Sequence, residues 1–344
     1  MRHILIVAPN WIGDAVMSEP LVRALQQTQA KISVLAPPWV AAVYRAMPSV
    51  DDVIEGDFKH GRVELFKRIA LARNLQQKGF TDALILPNSW KSALIPAFAQ
   101  IPHRFAYTGE LRSFLLTQSL ANPPRHDRPP MVAHYLALAK LIDPQIVING
   151  AQMQEPRLHP TPASGHLAID TAQPFFVFAP GAEFGPSKQW PASHFAQLAS
   201  FILQNDPQPS IVLMGSQKDI PIAEEIMRQT VCENPLRLIN VCGQTPLAES
   251  MAILRHAKGL VSNDSGMMHI GAALQIPQIA FFGSSDPSHT PPLSSFAGIM
   301  YLNLACSPCH QRICPLGHLN CLNQISPQSA FDELHRVMNL LKVI

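Results

Sequence analysis

Residues 258–283, KGLVSNDSGMMHIGAALQIPQIAFFG, spell a buried strand, a short polar turn, a helix and a second buried strand. The apolar run over 259–262 carries the chain to Asn263, Asp264, Ser265 and Gly266, and His269 falls in the first turn of the helix that follows. A helix start presents unpaired backbone N–H groups and a partial positive charge, so it suits a phosphate. Gly266 permits close backbone approach to such an anion, and Ser265 and His269 can add side-chain donors. Asp264 would repel phosphate and is therefore expected to face hydroxyls, such as those of a sugar. The same residues would also serve a plain helix start, in which Asp264 or Ser265 simply caps the first N–H groups.

Outward from this stretch, apolar runs alternate with helix-like segments along the whole chain. In the first half the strands fall over 3–8, 31–36, 83–87 and 104–107, and the helices over 18–29, 39–47, 63–78, 91–99 and 131–141. Residues 143–174 carry five prolines with little periodicity and read as a connection. The alternation then restarts, with strands over 175–179, 210–214 and 237–241 and helices over 192–204, 220–230 and 247–256. A final helix over 327–341 is compatible with packing on either half. Alternation of this kind predicts parallel sheets covered on both faces, an α/β class of fold. Two doubly wound domains are expected, over 1–165 and 166–344, facing a cleft and binding ligands outside the carboxyl ends of their strands.

Composition sets the bounds. A chain of 344 residues exceeds one ordinary core, and 47% hydrophobic with 15% charged residues excludes general disorder. A formal charge of +2 is too small to make nucleic acid the main partner, so an anionic ligand must be met locally. No apolar run is long enough to span a bilayer, and the start MRHILIVAPNWIGD lacks a signal peptide's apolar stretch and cleavage site, so a cytoplasmic protein is expected.

Three further strand ends carry chemistry. After the first strand, Asn10-Trp11-Ile12-Gly13-Asp14 reads as a turn into a helix; Asp14 suits a proton acceptor or the positive end of that helix. After the 175–179 strand, a Gly/Pro loop runs to Lys188-Gln189-Trp190-Pro191. Lys188 suits phosphate as a mobile point charge or solvent as a surface residue, and Trp190 is expected to pack between loop and core. After the 210–214 strand comes Gly215-Ser216-Gln217-Lys218-Asp219, where the acid suits a ribose hydroxyl or a helix cap.

Together, NWIGDAVM over 10–17, KQWP over 188–191 and NDSGMMH over 263–269 resemble the ADP-heptose:lipopolysaccharide heptosyltransferases, over nearly the whole chain. The NWIGDAVM form is closer to the heptosyltransferase II branch than to heptosyltransferase I. The resemblance implies a GT-B fold of two Rossmann-like domains, acceptor binding by the first and donor binding by the second. It implies inverting transfer of heptose from ADP-L-glycero-D-manno-heptose to the first heptose of the inner core, with no cofactor and no metal. Asp14 is similar to the family's general base, Lys188 to the lysine that meets the diphosphate, and Ser265, Gly266 and His269 to the helix start that holds the same group. Asp264 matches the acid on the donor heptose, and Asp219 stands where a ribose-binding acid is expected. The acceptor would be anionic, so Lys59, Arg62, Lys67, Arg68, Arg104 and Arg112 are candidates to meet it, or to touch the anionic inner membrane peripherally; each also suits an ordinary solvated basic face.

Four thiols crowd the segment CSPCHQRICPLGHLNC over 306–321. Cys306, Cys309, Cys314 and Cys321 suit either a structural zinc or a packed loop of reduced cysteines. Three other readings remain: a GT-B transferase with a different nucleotide sugar or acceptor, a nucleotide-sugar binding protein without turnover, and a zinc-ribbon binder of nucleic acid. The last rests on the cysteines alone and conflicts with the low charge.

Overall fold

The computed structural model describes residues 2–58, 62–124, 127–150, 154–162 and 169–340. The chain divides into two compact units, Met1–His159 and Pro160–Ile344. The first contains strands β1 (His3–Val7), β2 (Lys31–Ala36), β3 (Asp52–Glu55), β4 (Asp82–Ile85), β5 (His103–Tyr107) and β6 (Gln118–Leu120). The second contains β7 (Phe175–Ala179), β8 (Ser210–Leu213), β9 (Leu238–Asn240), β10 (Gly259–Asn263), β11 (Gln278–Phe281) and β12 (Ala297–Met300). Their sheet orders are β3-β2-β1-β4-β5-β6 and β12-β11-β10-β7-β8-β9, and every described pairing is parallel. Counted within each unit, the two orders are the same, 3-2-1-4-5-6, which is the dinucleotide-fold order.

Strands buried on both faces explain the continuous apolar runs. All five residues of β7, FFVFA, and of β10, GLVSN, are buried. In the second unit the core gathers Phe178, Trp190, Phe195, Phe281 and Leu322 around the sheet. The Pro327–Leu340 helix, for which the sequence leaves two destinations, sets Ala330, Leu334 and Val337 into this same core, against the Ala192–Asn205 helix. The 341 end of that expected helix lies outside the described residues.

Three strands, β3, β6 and β12, stand where no strand signal is legible in the residues. They are short and have at most one fully buried residue each, so their apolar pattern is faint. The helix expected over 18–29 is shorter, Glu19–Leu25 with a tight turn at Gln26–Thr28, and a separate helix, Ile12–Met17, precedes it where a turn is expected. Pro20 has no N–H for the carbonyl four residues back, and Ser18 Oγ bonds Ala15 O at 2.7 Å, so the ladder breaks at Ser18. Asp14 therefore sits in a first helical turn and not in the turn before a helix. The helix expected over 131–141 is two, Met131–Ala137 and Ala139–Ile142.

Candidate active site

In the second sheet the chain order reverses between β7 and β10, so the loops leaving those two strands flank a natural ligand crevice. Asn263, the last residue of β10, joins them. Its amide is fully buried: Nδ2 donates to Pro180 O at 2.7 Å, and Oδ1 accepts the Trp190 N–H at 2.9 Å. Trp190 is itself fully buried, stacks on Phe281 with centroids 4.0 Å apart, and donates Nε1–H to Ile325 O at 3.0 Å. The loop carrying Lys188 is thus fastened on both sides of the tryptophan.

Lys188 Nζ reaches Asp264 Oδ2 at 2.5 Å, and Ser285 Oγ donates to the same oxygen at 2.5 Å. The pair is largely out of water, with side-chain exposures of 18% for Lys188 and 5% for Asp264. Two donors on Oδ2 leave Oδ1 for another group. The Lys188 ammonium also stands 5.1 Å from the centre of the Phe184 ring, and the Arg312 guanidinium 5.4 Å from the same ring.

Next to this cluster the Gly266–Ala273 helix begins. Its cap residue Ser265 is extended, at φ −149° and ψ 174°, but its hydroxyl caps no N–H. Ser265 Oγ is buried without a hydrogen-bond partner, which is costly unless something else binds there. His269 is buried one turn on. Burial pushes its imidazole down to about 4, with the Lys188 charge acting in the same direction and Asp264 opposing, so the ring is neutral near pH 7 and serves as a one-proton donor. Lys188, Asp264, Ser265, Gly266 and His269 are therefore brought together.

Asp219 is placed nearby in the fold but is occupied. Its Oδ2 accepts both the Ser216 N–H and the Ser216 hydroxyl, each at 2.8 Å, which closes a capping box. A Cβ added at Gly181 or Gly215 would meet this carboxylate at 2.4 or 2.8 Å, so the two glycines leave the space it fills.

In the first unit, Asp14 is half-buried in the Ile12–Met17 helix. Its charge bears on two buried phenols, Tyr44 and Tyr135, whose hydroxyls are raised chiefly by burial and further by Asp14. Tyr44 and Ser18 share a hydrogen bond of 2.9 Å. Beyond the carboxyl ends of β1, β2 and β4 lies a cavity of about 280 Å³, with Asn10, Arg62, Lys91 and Glu110 among its polar lining and Phe58 and Ile95 among its apolar lining.

The basic residues separate by destination. Arg62 lines that cavity. Arg68 also borders it, but its guanidinium is spent on Val63 O and Lys91 O. Arg112 is wholly buried and holds the carbonyls of Pro87, Ser89 and Tyr107. Arg104 stands at the amino end of β5, away from the strand ends that border the cavity, and bonds Leu115 O and Ile101 O. Lys67 pairs with Glu64 on the surface. Lys59 lies outside the described residues.

A family model described as glycosyltransferase family 9 (heptosyltransferase) matches residues 68–320. The chain belongs to this family. Lipopolysaccharide heptosyltransferase 2 of Escherichia coli is 36% identical to it over 97% of this chain and 98% of its own length. Lipooligosaccharide heptosyltransferase 2 of Haemophilus ducreyi is 40% identical over 87% and 88%. Among solved structures, Escherichia coli ADP-heptose lps heptosyltransferase II superposes with a TM-score of 0.83 at 34% identity, covering 99% of this chain and 100% of that one. An Escherichia coli heptosyltransferase solved with ADP shares the fold at a TM-score of 0.74 and 19% identity, over 97% and 99% of the two chains. The protein is thus a GT-B glycosyltransferase.

For a family 9 glycosyltransferase, the residues that sequence reasoning passed over are those reaching the site from elsewhere in the chain. Ser285 follows β11, Phe184 precedes Lys188 in a loop, and Arg312 belongs to the cysteine segment. The only sequence signal for Ser285 is its place in the GSSD turn that ends the β11 run.

Proposed function

We propose that this chain is a lipopolysaccharide heptosyltransferase II, moving heptose from ADP-L-glycero-D-manno-heptose to the first heptose of the inner core. The observation that carries the reading is the buried Lys188–Asp264–Ser285 cluster set against a helix start whose Ser265 hydroxyl has no partner. A helix start with a neighbouring ammonium suits a diphosphate, and a carboxylate with a spare oxygen suits sugar hydroxyls.

In this reading the ADP diphosphate takes Lys188 and the N–H groups at Gly266, with Ser265 and neutral His269 as further donors. Asp264, relieved of the lysine and still oriented by Ser285, receives the heptose hydroxyls. As the bond from C1 to the diphosphate breaks, negative charge grows on the phosphate oxygens, so donors fixed there favour the transition state over the ground state. Asp14 takes the proton from the acceptor hydroxyl as that oxygen attacks C1 from the opposite face, inverting the anomeric centre. Asp14 is half-buried, and its charge bears on the buried hydroxyls of Tyr44 and Tyr135. No step calls for a metal or a separate cofactor.

The second unit then binds donor and the first binds acceptor, with Arg62 and Lys91 in the 280 Å³ cavity as cations for an acidic sugar or phosphate. Asp219 completes the site by turning its free oxygen to the ribose. No described helix is long and apolar enough to cross a membrane, and we place the protein in the cytoplasm, meeting its lipid-borne acceptor at the inner membrane face. Incubation with ADP-heptose and a one-heptose acceptor, read by product mass, tests the reading; binding of ADP-heptose without any product would favour a non-catalytic role.

A further inference from the structure

Residues 306–321 play no part in the transfer just described, yet they are anchored closely to the loops that form the second unit's site. Ser307 Oγ donates to Gly283 O at 2.5 Å and the His310 N–H to Ser284 O at 2.7 Å. Gln311 O receives the Ser187 hydroxyl at 2.5 Å, and Arg312 O the Ser187 N–H at 3.3 Å. The segment has little apolar matter of its own to hold this path. Ile313 and Leu316 point outward, with exposures of 73% and 60%, and all of its cysteines are free thiols.

At its centre is a small cavity of about 20 Å³, bordered by Cys306, Cys309, Cys314, Cys321 and His318. That is room for roughly one water or one ion. Between Cys314 and Cys321 the chain turns at Gly317, at φ +72°, and the Gly317 N–H donates to Cys314 O at 3.2 Å. Thiols hydrogen-bond water weakly, and a packed hydrophobic loop would leave no hole.

We propose that Cys306, Cys309, Cys314 and Cys321 form a structural tetrathiolate site for a thiophilic divalent metal, zinc or ferrous iron. Four soft sulfur donors select these ions over magnesium or calcium and suit tetrahedral geometry. Among the described residues no group of three or more Cys, His, Asp or Glu is already arranged to hold a metal, so the four sulfurs close on the ion as it binds and their thiol protons pass to solvent. His318 Nδ1 accepts the Asn320 N–H at 3.0 Å and braces the turn between Cys314 and Cys321. The ion fixes the path that presents Gln311 and Arg312 to Ser187, next to Lys188. The ion's role is structural, and no step of the transfer uses its charge.

The test uses the full chain, made without a histidine tag in medium supplied with zinc and iron and purified without chelators. Mass-spectrometric metal analysis is expected to find about one ion per chain, with zinc and iron distinguished directly. Cys309→Ser and Cys314→Ser should each lower that content about tenfold or more. Because such variants can misfold, the wild type is also stripped with a chelator and refilled with zinc alone. The four clustered thiols should be alkylated after stripping and protected after refilling, while Cys232 reacts equally in both states. Cobalt in place of zinc should give sulfur-to-metal charge-transfer bands. Protein that carries no stoichiometric metal, and whose clustered thiols react at the same rate with and without zinc, overturns the proposal.

Discussion

Removing Lys188 separates what it does for the fold from what it does for the donor. The ammonium lies 2.5 Å from an Asp264 carboxylate that is 5% exposed, so truncation to alanine strands a buried charge. Breaking a buried pair costs about 3–5 kcal/mol; with Ser285 still donating and Lys188 itself 18% exposed, about 2–3 kcal/mol is expected here. Asp264→Asn strands the more exposed partner and should cost about 1–2 kcal/mol. The Lys188→Ala/Asp264→Asn double variant removes both charges, so its loss should fall short of the summed single losses by about 1–2 kcal/mol. Binding should not recover with stability. A charge-assisted contact to phosphate is worth about 1.5–3 kcal/mol, so ADP affinity should drop roughly 10- to 100-fold in both lysine variants. Denaturant unfolding of ligand-free protein and calorimetric titration with ADP measure the two effects. Strictly additive stability losses would remove the pair from the fold, and restored ADP affinity in the double variant would remove Lys188 from the donor site.

Other expectations follow from the same geometry. Asp14→Asn should abolish turnover while ADP-heptose affinity stays within about twofold of wild type; retained turnover would exclude Asp14 as the base. His269 has a folded value of about 4, below its unfolded 6.5, so its contribution is complete above pH 6.5 and is lost as pH falls toward 4. Glu19, raised by burial to about 7 from 4.5 despite Arg23, has the opposite sign: its contribution is complete below pH 4.5 and is lost as pH rises to 7. Each is worth up to about 3 kcal/mol across its window, so unfolding midpoints against pH should tilt one way in His269→Gln and the other way in Glu19→Gln. Trp190→Ala should cost about 3–5 kcal/mol in unfolding, since it empties a fully buried stack on Phe281, and should weaken ADP binding through the loosened Lys188 loop.

The sequence discloses most where local chemistry and local structure coincide. In 258–283 the apolar run, the polar turn and the small residues of the helix all concern neighbours in the chain, and β10, the Gly266–Ala273 helix and β11 follow that reading closely. It discloses least where a residue's partner is distant. Arg68, Arg104 and Arg112 have the charge expected of acceptor ligands, but each guanidinium is spent on main-chain carbonyls up to 25 residues away. Asp219 shows the opposite ambiguity: a helix cap and a ribose ligand need the same carboxylate at the same spacing, and the structure puts one oxygen in the cap. Ser285 could not be assigned to Asp264 from spacing alone, because only the parallel pairing of β10 with β11 brings their ends together. The edge strands β3, β6 and β12 escaped because partial exposure removes the apolar run that marks a central strand.

The most direct test of the central claim is mass-spectrometric detection of product when the purified protein meets ADP-heptose and either a heptose-free or a one-heptose inner-core acceptor. Addition of one heptose to the one-heptose acceptor alone is the predicted result. Addition to the heptose-free acceptor would contradict the assignment of the second inner-core heptose, and no addition to either, with ADP-heptose bound, would contradict the transfer itself.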